Sequence, residues 1–440
     1  MSTSAQRAKR AMNRRRFLSS AGRIGLGTGA GLLLLPGGSR AQSANDKIVT
    51  AHIGVGGMGN NHVSWFSSFP DVEIAAVCDV DRNHADATLQ RLQESRPETK
   101  AQAYYDFREV LDRPDIDAIS CATPDHWHAL ITILAFQAGK DVYSEKPLSH
   151  NLAEGQAMLR HGRRYKRIFQ LGTQIHAGDN YHRVVELVRS GVLGDIKTVR
   201  VWKTGGSGNM GYPDPQDPPP ELDWNTWLGP APYHPYVAQR CHGNFRHFWD
   251  YSGGVYADFW CHIADIFFWA MNPGQPLTID ARGERPEGIS DTPAWADVDY
   301  EFPGGLKVHW TTSIPDVPGA AGKGIGCQFE GTKGSLVCDY GSRVLFVDGQ
   351  EMNGIPEIEQ SLPRSPGHPR NFVDCVKSRQ LTESNLPYVR EMTIPMHLGC
   401  ISFRLKRKLT WDSQTETIIG DDAANALLSR PYRAPWHLPV

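Results

Sequence analysis

"KIVTAHIGVGGMGNNHVSWFSSFPDVEIAAVCDVD", residues 47–81, decides how the chain is read. Residues from Ile48 to Ile53 are mostly apolar and β-branched, as in a strand buried on both faces. Gly54, Gly56, Gly57, Met58 and Gly59 follow at once, and "NNHVSWFSSF" then opens a helix. A second buried run, "VEIAAVC", ends at Asp79, twenty residues beyond Gly59. Glycines in such a strand-turn-helix permit a tight turn and let a pyrophosphate approach the helix N-terminus. An acid at the end of the second strand accepts hydrogen bonds from ribose hydroxyls. The combination reads as a dinucleotide site, with NAD favoured over NADP because a carboxylate repels a 2′-phosphate. Arg82 nearby argues the other way.

Outward from this stretch the same alternation repeats. "ADATLQRLQES" is helical, "DAISCATP" a strand, "HALITILAFQAG" a helix, "DVYSEKPL" a strand, "LAEGQAMLRHGRRY" a helix and "IFQLGTQ" a strand. Such βαβ repetition predicts a Rossmann domain with a doubly wound parallel sheet over residues 47–173. From about Gln174 the pattern changes. "NYHRVVELVRSG" and "IKTVRVWKT" lead into a Pro-, Gly- and aromatic-rich stretch from Gly205 to Gly254. It is too rich in large aromatics (Trp224, Trp227, Tyr233, Tyr236, Phe245, Phe248, Trp249) to be left in water, so it reads as an ordered functional loop. "LTIDARGE", "WADVDYEF", "LKVHWTTS", "KGIGCQFEG" and "SLVCDYG" then read as antiparallel strands. Residues 174–410 are therefore expected to form an α+β domain on an open, mostly antiparallel sheet, closed by helices at "NFVDCVKSRQ" and "LGCISFRLKRK". An irregular tail is expected over 411–440.

Bulk composition excludes several classes. The 440 residues are 40% hydrophobic and 21% charged with a net charge of -2, which leaves no basic stripe for nucleic acid. The eight cysteines include no CxxC and read as structural thiols. Cys327 and Cys338 flank "GTKG" and would face each other across a hairpin, with a disulfide the less favoured alternative.

The front of the chain reads as an export leader over residues 1–41. A basic region from Arg7 to Arg16 precedes a Gly- and Leu-rich run to Leu35 and a small-x-small site at Ser39-Arg40-Ala41. Arg14-Arg15-Arg16-Phe17-Leu18 fits the twin-arginine pattern. That machinery carries folded proteins, so a periplasmic or otherwise exported protein with its cofactor already seated is expected. The glycine-rich run, interrupted by Arg23, is too short for a lasting span, and no stable membrane insertion is expected after cleavage.

Three later segments carry chemistry. Thr123-Pro124 and Glu145-Lys146-Pro147 each follow a strand, at the edge where doubly wound sheets bind ligands. His126-x-His128 lacks a third ligand at matching spacing, and no metal is expected. In "YSGGVYADFWCHIADIFFWAM" Asp258 and His262 stand four apart on an apolar helix, hence on one face, while Asp265 reads as structural.

GxGxxG, the ribose acid, "TPxxxH", "AGKxVxxEKP" and the Asp-x-x-x-His helix, in this order, resemble the glucose–fructose oxidoreductase, inositol dehydrogenase and MocA family. "LDWNTWLGPAP", "FWDYSGG" and "HPRNFVDCVKS" resemble its secreted branch. The resemblance implies a Rossmann domain and a substrate domain, a homo-oligomer, and an NAD-dependent oxidoreductase acting on a sugar hydroxyl. It implies catalytic positions at Lys146, Asp258 and His262. Cofactor contacts fall at Gly54, Gly56, Gly57, Met58, Gly59, Asp79, Thr123, Pro124, His128, Glu145 and Lys146, and substrate contacts at Gln174, His176 and His262. Trp260-Cys261 departs from the pattern inside the catalytic helix and bears on pocket shape. From residue type, His262 oriented by Asp258 is the expected base and Lys146 the group that steadies the alkoxide, although the roles are interchangeable. Two rivals stand beside this reading: an NAD-dependent glycosidase working by transient oxidation, and a catalytically silent sugar-binding protein.

Overall fold

In the computed structural model the described residues are 47–440 apart from 353 and 355, so the expected leader lies outside them. The first sheet contains β1 (Ile48–Ile53), β2 (Val72–Cys78), β3 (Gln102–Tyr104), β4 (Ala118–Cys121), β5 (Asp141–Ser144) and β6 (Phe169–Leu171). Its order is β3-β2-β1-β4-β5-β6 and every neighbouring pair is parallel, the doubly wound arrangement expected. Strands β1, β4 and β5 are buried almost throughout because helices cover both faces. Polar residues on β1 are satisfied within the sheet: His52 Nδ1 lies 2.6 Å from Ser120 Oγ. The strand order reverses between β1 and β4, so a crevice opens beyond their carboxyl ends.

The second sheet has ten strands. They are β7 (Ile196–Lys203), β8 (Thr278–Glu284), β9 (Trp295–Glu301), β10 (Lys307–Thr311), β11 (Ile325–Gly331), β12 (Gly334–Cys338), β13 (Arg343–Val347), β14 (Gln350–Glu351), β15 (Leu409–Asp412) and β16 (Thr417–Ile418). Their order is β14-β13-β12-β11-β7-β10-β9-β8-β15-β16, and among the described residues only β7 and β10 pair in parallel. Burial alternates along β9: Ala296, Val298 and Tyr300 point into the core while Asp297, Asp299 and Glu301 do not. The outer face carries ion pairs such as Arg282–Asp299 and Arg200–Glu330, both at 2.5 Å. Cys327 and Cys338 sit directly opposite in the β11–β12 ladder as buried free thiols.

Three parts of the chain depart from the expected layout. Helix His368–Ser378 leaves the second sheet and packs on the first, where Phe372 meets Phe66 and Tyr143 with ring centroids 6.0 and 5.8 Å apart. Arg379 and Arg370 fasten it to Asp141 and Asp71 at 2.5 and 2.7 Å. The tail is not irregular throughout: β15 and β16 extend the large sheet, and Trp436 then packs edge-on against Trp127, 4.9 Å between centroids. Helix Leu386–Leu405 starts well before "LGCISFRLKRK" and contains Pro395, whose carbonyl accepts the Tyr300 hydroxyl at 3.1 Å. Its front end is fixed by Asn385, whose side chain caps the Tyr388 N–H.

The 205–254 stretch is ordered around its own apolar cluster. Trp224 and Trp227 stack 4.7 Å apart, with Tyr236, Phe245, Phe248 and Tyr251 buried beside them. Tyr233 is the exception to the expected burial, at 64% exposed. No helix among the described residues is long and apolar enough to cross a membrane.

Candidate active site

A cavity of about 260 Å³ lies beyond the carboxyl ends of β1, β2 and β4. The turn after β1 forms its floor. Gly54 has φ +79°, and a Cβ there would meet the Ala122 carbonyl carbon and the Thr123 nitrogen at 2.7 Å. A Cβ on Gly59 would lie 1.8 Å from the Gly54 carbonyl oxygen, so neither position accepts a side chain. Gly57 faces open space, and helix Met58–Ser67 begins there with no side-chain cap on its first N–H groups. An uncapped helix N-terminus facing a cavity over a bare glycine suits a pyrophosphate.

At the end of β2 the Asp79 carboxylate is held by two backbone donors, Val55 N–H at 2.9 Å and Asp81 N–H at 3.0 Å. His84 Nδ1 stands 3.6 Å from it, and that carboxylate lifts the imidazole above its ordinary pKa, against the effect of burial. Asp79, with the glycine turn, fits a dinucleotide whose ribose lies over β2.

Across the cavity Lys146 Nζ lies 2.5 Å from Asp258 Oδ1, both side chains over nine-tenths buried. Arg246 Nε reaches the same oxygen at 3.0 Å. Burial alone would push the Asp258 carboxyl up, but the Lys146 ammonium and the Arg246 guanidinium outweigh it and hold the group down to about 2. Burial works against the charge on Lys146 too, yet Asp258 and Glu145 more than offset it and its pKa is raised. Burial, with Lys146 adding to it, pulls His262 down to about 4, so its ring is neutral at pH 7. Glu145 stays ionised despite burial because His62 Nε2 sits 3.1 Å from its carboxylate.

The expectation that Asp258 orients His262 is therefore corrected. Among the described residues the Asp258 carboxylate binds Lys146 and Arg246, two stronger charges than a neutral ring one helical turn away. His262 presents its ring to the cavity, and its carbonyl accepts the Tyr340 hydroxyl at 3.1 Å.

Two family profiles match this chain: "Oxidoreductase family, NAD-binding Rossmann fold" over residues 48–173, and "Oxidoreductase family, C-terminal alpha/beta domain" over residues 178–438. The chain belongs to the Gfo/Idh/MocA oxidoreductase family. Among solved structures, the WlbA dehydrogenase of Chromobacterium violaceum, in complex with NADH and UDP-GlcNAcA, shares the fold. Its TM-score is 0.61 at 19% identity, covering 84% of this chain and 97% of that one. An aldose-aldose oxidoreductase from Caulobacter crescentus gives a TM-score of 0.59 at 17% identity, covering 83% and 99%. Among curated relatives, a glycosyl hydrolase family 109 protein of Shewanella pealeana is 28% identical over 154 residues, 34% of each chain. An alpha-N-acetylgalactosaminidase of Shewanella oneidensis is 29% identical over 147 residues, 33% of this chain and 32% of that protein. The match thus spans about a third of the length of these curated relatives.

Within this Gfo/Idh/MocA chain, Gly54, Gly56, Gly57, Met58, Asp79 and Thr123 line the cavity, as do Pro124, Glu145, Lys146 and His262. Gly59 lies beneath the turn. His128 is buried behind the wall, with its ring nitrogens 2.7 Å from the Pro147 carbonyl and 2.9 Å from that of Thr123, so it braces the two turns. His126 turns instead to the Trp227 carbonyl at 3.0 Å, and the two imidazoles form no metal pair. The expected substrate contacts Gln174 and His176 do not line this cavity. His176 is buried, stacked on Trp269 at 4.2 Å and 3.2 Å from the Asp265 carboxylate, which also accepts the Tyr388 hydroxyl. Asp265 thus has the structural part expected, bonding the side chains of His176 and Tyr388. Sequence reasoning missed Arg246 and His242, both from the 205–254 stretch. "NFRHFWDYSGG" contained the signal for Arg246, a charge set among aromatics that must find a buried partner.

Proposed function

We propose that this protein oxidises a hydroxyl of a sugar or sugar derivative, with NAD as resident cofactor. One observation carries the reading: Lys146, His262 and Arg246 open onto the same cavity as the glycine turn and Asp79. A bound nicotinamide supplies the acceptor for the hydride that the carbinol carbon loses. Lys146, kept charged by Asp258, donates a hydrogen bond to the substrate oxygen and stabilises the alkoxide as its proton leaves. His262, neutral and at the cavity wall, receives that proton. Asp258 holds the ammonium in place, and the buried surroundings exclude water.

The twin-arginine leader supports export of the folded protein with nucleotide inside. A periplasm offers no evident supply of free NAD, so the two half-reactions close on the protein, as the name of the aldose-aldose fold neighbour suggests. The open second sheet supports association into a homo-oligomer. A second reading, redox-neutral glycoside hydrolysis, is favoured by the family 109 relatives.

Denaturing the purified chain and assaying released nucleotide tests residency. Incubation with free sugars, sugar pairs and aryl glycosides, followed by product analysis, separates the two chemistries. Sugar oxidation matched by reduction of a second sugar, without added NAD, is the expected result. Aglycone release with no net redox product would move the assignment to hydrolysis, and protein empty of nucleotide that consumes soluble NAD would remove the resident cofactor.

A further inference from the structure

The short turn His242–His247, inside the long 205–254 stretch, reaches both ends of the cavity. At one end His242 Nε2 lies 3.1 Å from Asp81 Oδ2, and its ring meets that of His84, itself beside Asp79, at 4.6 Å. At the other end, four residues on, Arg246 shares Asp258 Oδ1 with Lys146. Between them Phe245 is buried and takes the Arg246 guanidinium against its ring at 4.6 Å, while Gly243 lines the cavity. His242 adopts φ +42°, a left-handed conformation that a non-glycine residue holds only where its surroundings impose it.

The stretch leading to this turn is stapled to the nucleotide-binding half. Leu222 bridges Asp81 in antiparallel fashion, Asp223 N–H donates to the Val80 carbonyl at 3.0 Å, and Asn83 bonds the Glu221 carboxylate at 3.0 Å. The first two ties use backbone and the third side chains, and together they fix a wall along the end of β2. The turn that follows is anchored at its far end, where the His247 carbonyl accepts the Asp291 N–H at 3.0 Å and its ring meets Ser207 Oγ at 2.9 Å, whereas at its near end the exposed His242 meets the nucleotide-binding half through its side chain, so the His242 end is the part that opens.

We propose that His242–His247 is a two-point clasp on the dinucleotide, latched by His242 on Asp81 at the adenosine end and by Arg246 on Asp258 at the catalytic end. This rests on the NAD reading above and adds to it the device that sets release. Opening the catalytic latch also removes a partner of the carboxylate that holds Lys146. Arg246 is thereby a positioning residue.

The full chain loaded with NADH, mixed with excess NAD, reports release by the loss of bound-NADH fluorescence. His242→Ala and Asp81→Asn are each expected to release about tenfold faster, the scale of one lost charged hydrogen bond. The double variant should be no faster than the faster single, because both remove the same latch. His242→Gln, which keeps a donor toward Asp81, should stay within about twofold of the unaltered protein, and Arg246→Met should accelerate release more than Arg246→Lys. Circular dichroism of each variant confines the comparison to folded protein, and the His242 and Asp81 cycle decides should Arg246→Met fail to fold. Unchanged release in His242→Ala, or rate effects that multiply in the double variant, would overturn the clasp while leaving sugar oxidation standing. An unaltered protein that does not bind NADH would overturn the cofactor reading itself, and the clasp with it.

Discussion

The nucleotide-binding half and the 205–254 stretch meet across one cavity but reach it by opposite routes. In the first, strands of fixed order end side by side, so topology alone delivers Gly54, Asp79, Thr123 and Lys146 to one edge. In the second there is little regular structure, and Trp224, Trp227, Phe245 and Phe248 create a small core from which Arg246 and His242 project. A frame of strands tolerates change between its ends and none at its turns. A packed loop places its charges only as well as its aromatic neighbours fit.

Removing the ammonium tests the frame side most severely. Lys146→Ala should lower kcat by at least about a hundredfold while nucleotide remains bound, measured by single-turnover assay and nucleotide extraction. Normal turnover would shift the chemistry to the loop side. Next comes the junction: Asp258→Asn deprives Lys146 and Arg246 of the carboxylate they share, and should destabilise the fold by about 3 kcal/mol, read by denaturant unfolding. A neutral result would mean the two cations find other partners. Within the frame, Asp79→Ala removes ribose acceptors and also a repulsion toward phosphate. It should weaken NAD by about tenfold and NADP less, by calorimetric titration of stripped protein.

The smallest effect expected is a flat pH profile. Lys146 has a raised pKa, so its charge persists as pH climbs through the ordinary lysine range and the alkaline loss of rate lies above that range. His262 gains a proton only as pH falls through about 4, which sets the acid limb there. Asp258→Asn should bring the alkaline limb down, since it removes the largest influence holding Lys146 up. A rate that titrates near pH 6.5 would show instead that His262 keeps its ordinary basicity.

What was legible in the sequence follows the same division. Buried parallel strands and the glycine turn are local signals, so β1, β2, β4, β5, β6 and the turn from Gly54 to Gly59 could be read directly, whereas β3, only three residues long, leaves too short a run to show. The helical spacing of Asp258 and His262 was equally plain, but it suggested a partnership that the fold does not make. Lys146 lies 112 residues away in sequence and Arg246 on a loop, and no periodicity reveals that both converge on that carboxylate. His176 shows the converse. The family resemblance implied a substrate contact there, yet Trp269, Asp265 and Tyr388 enclose the ring. The tail was misjudged because two-stranded edge pairing at β15 and β16 is too short to leave a pattern.

Trp436 gives the chain's last residues a part in its first domain. Its ring packs on Trp127 and Phe107, and both of those side chains line the cavity. Trp436 does not itself line that cavity; it backs two of the side chains that do. A substitution at Trp436 therefore acts on the cavity at one remove, through the two rings it supports.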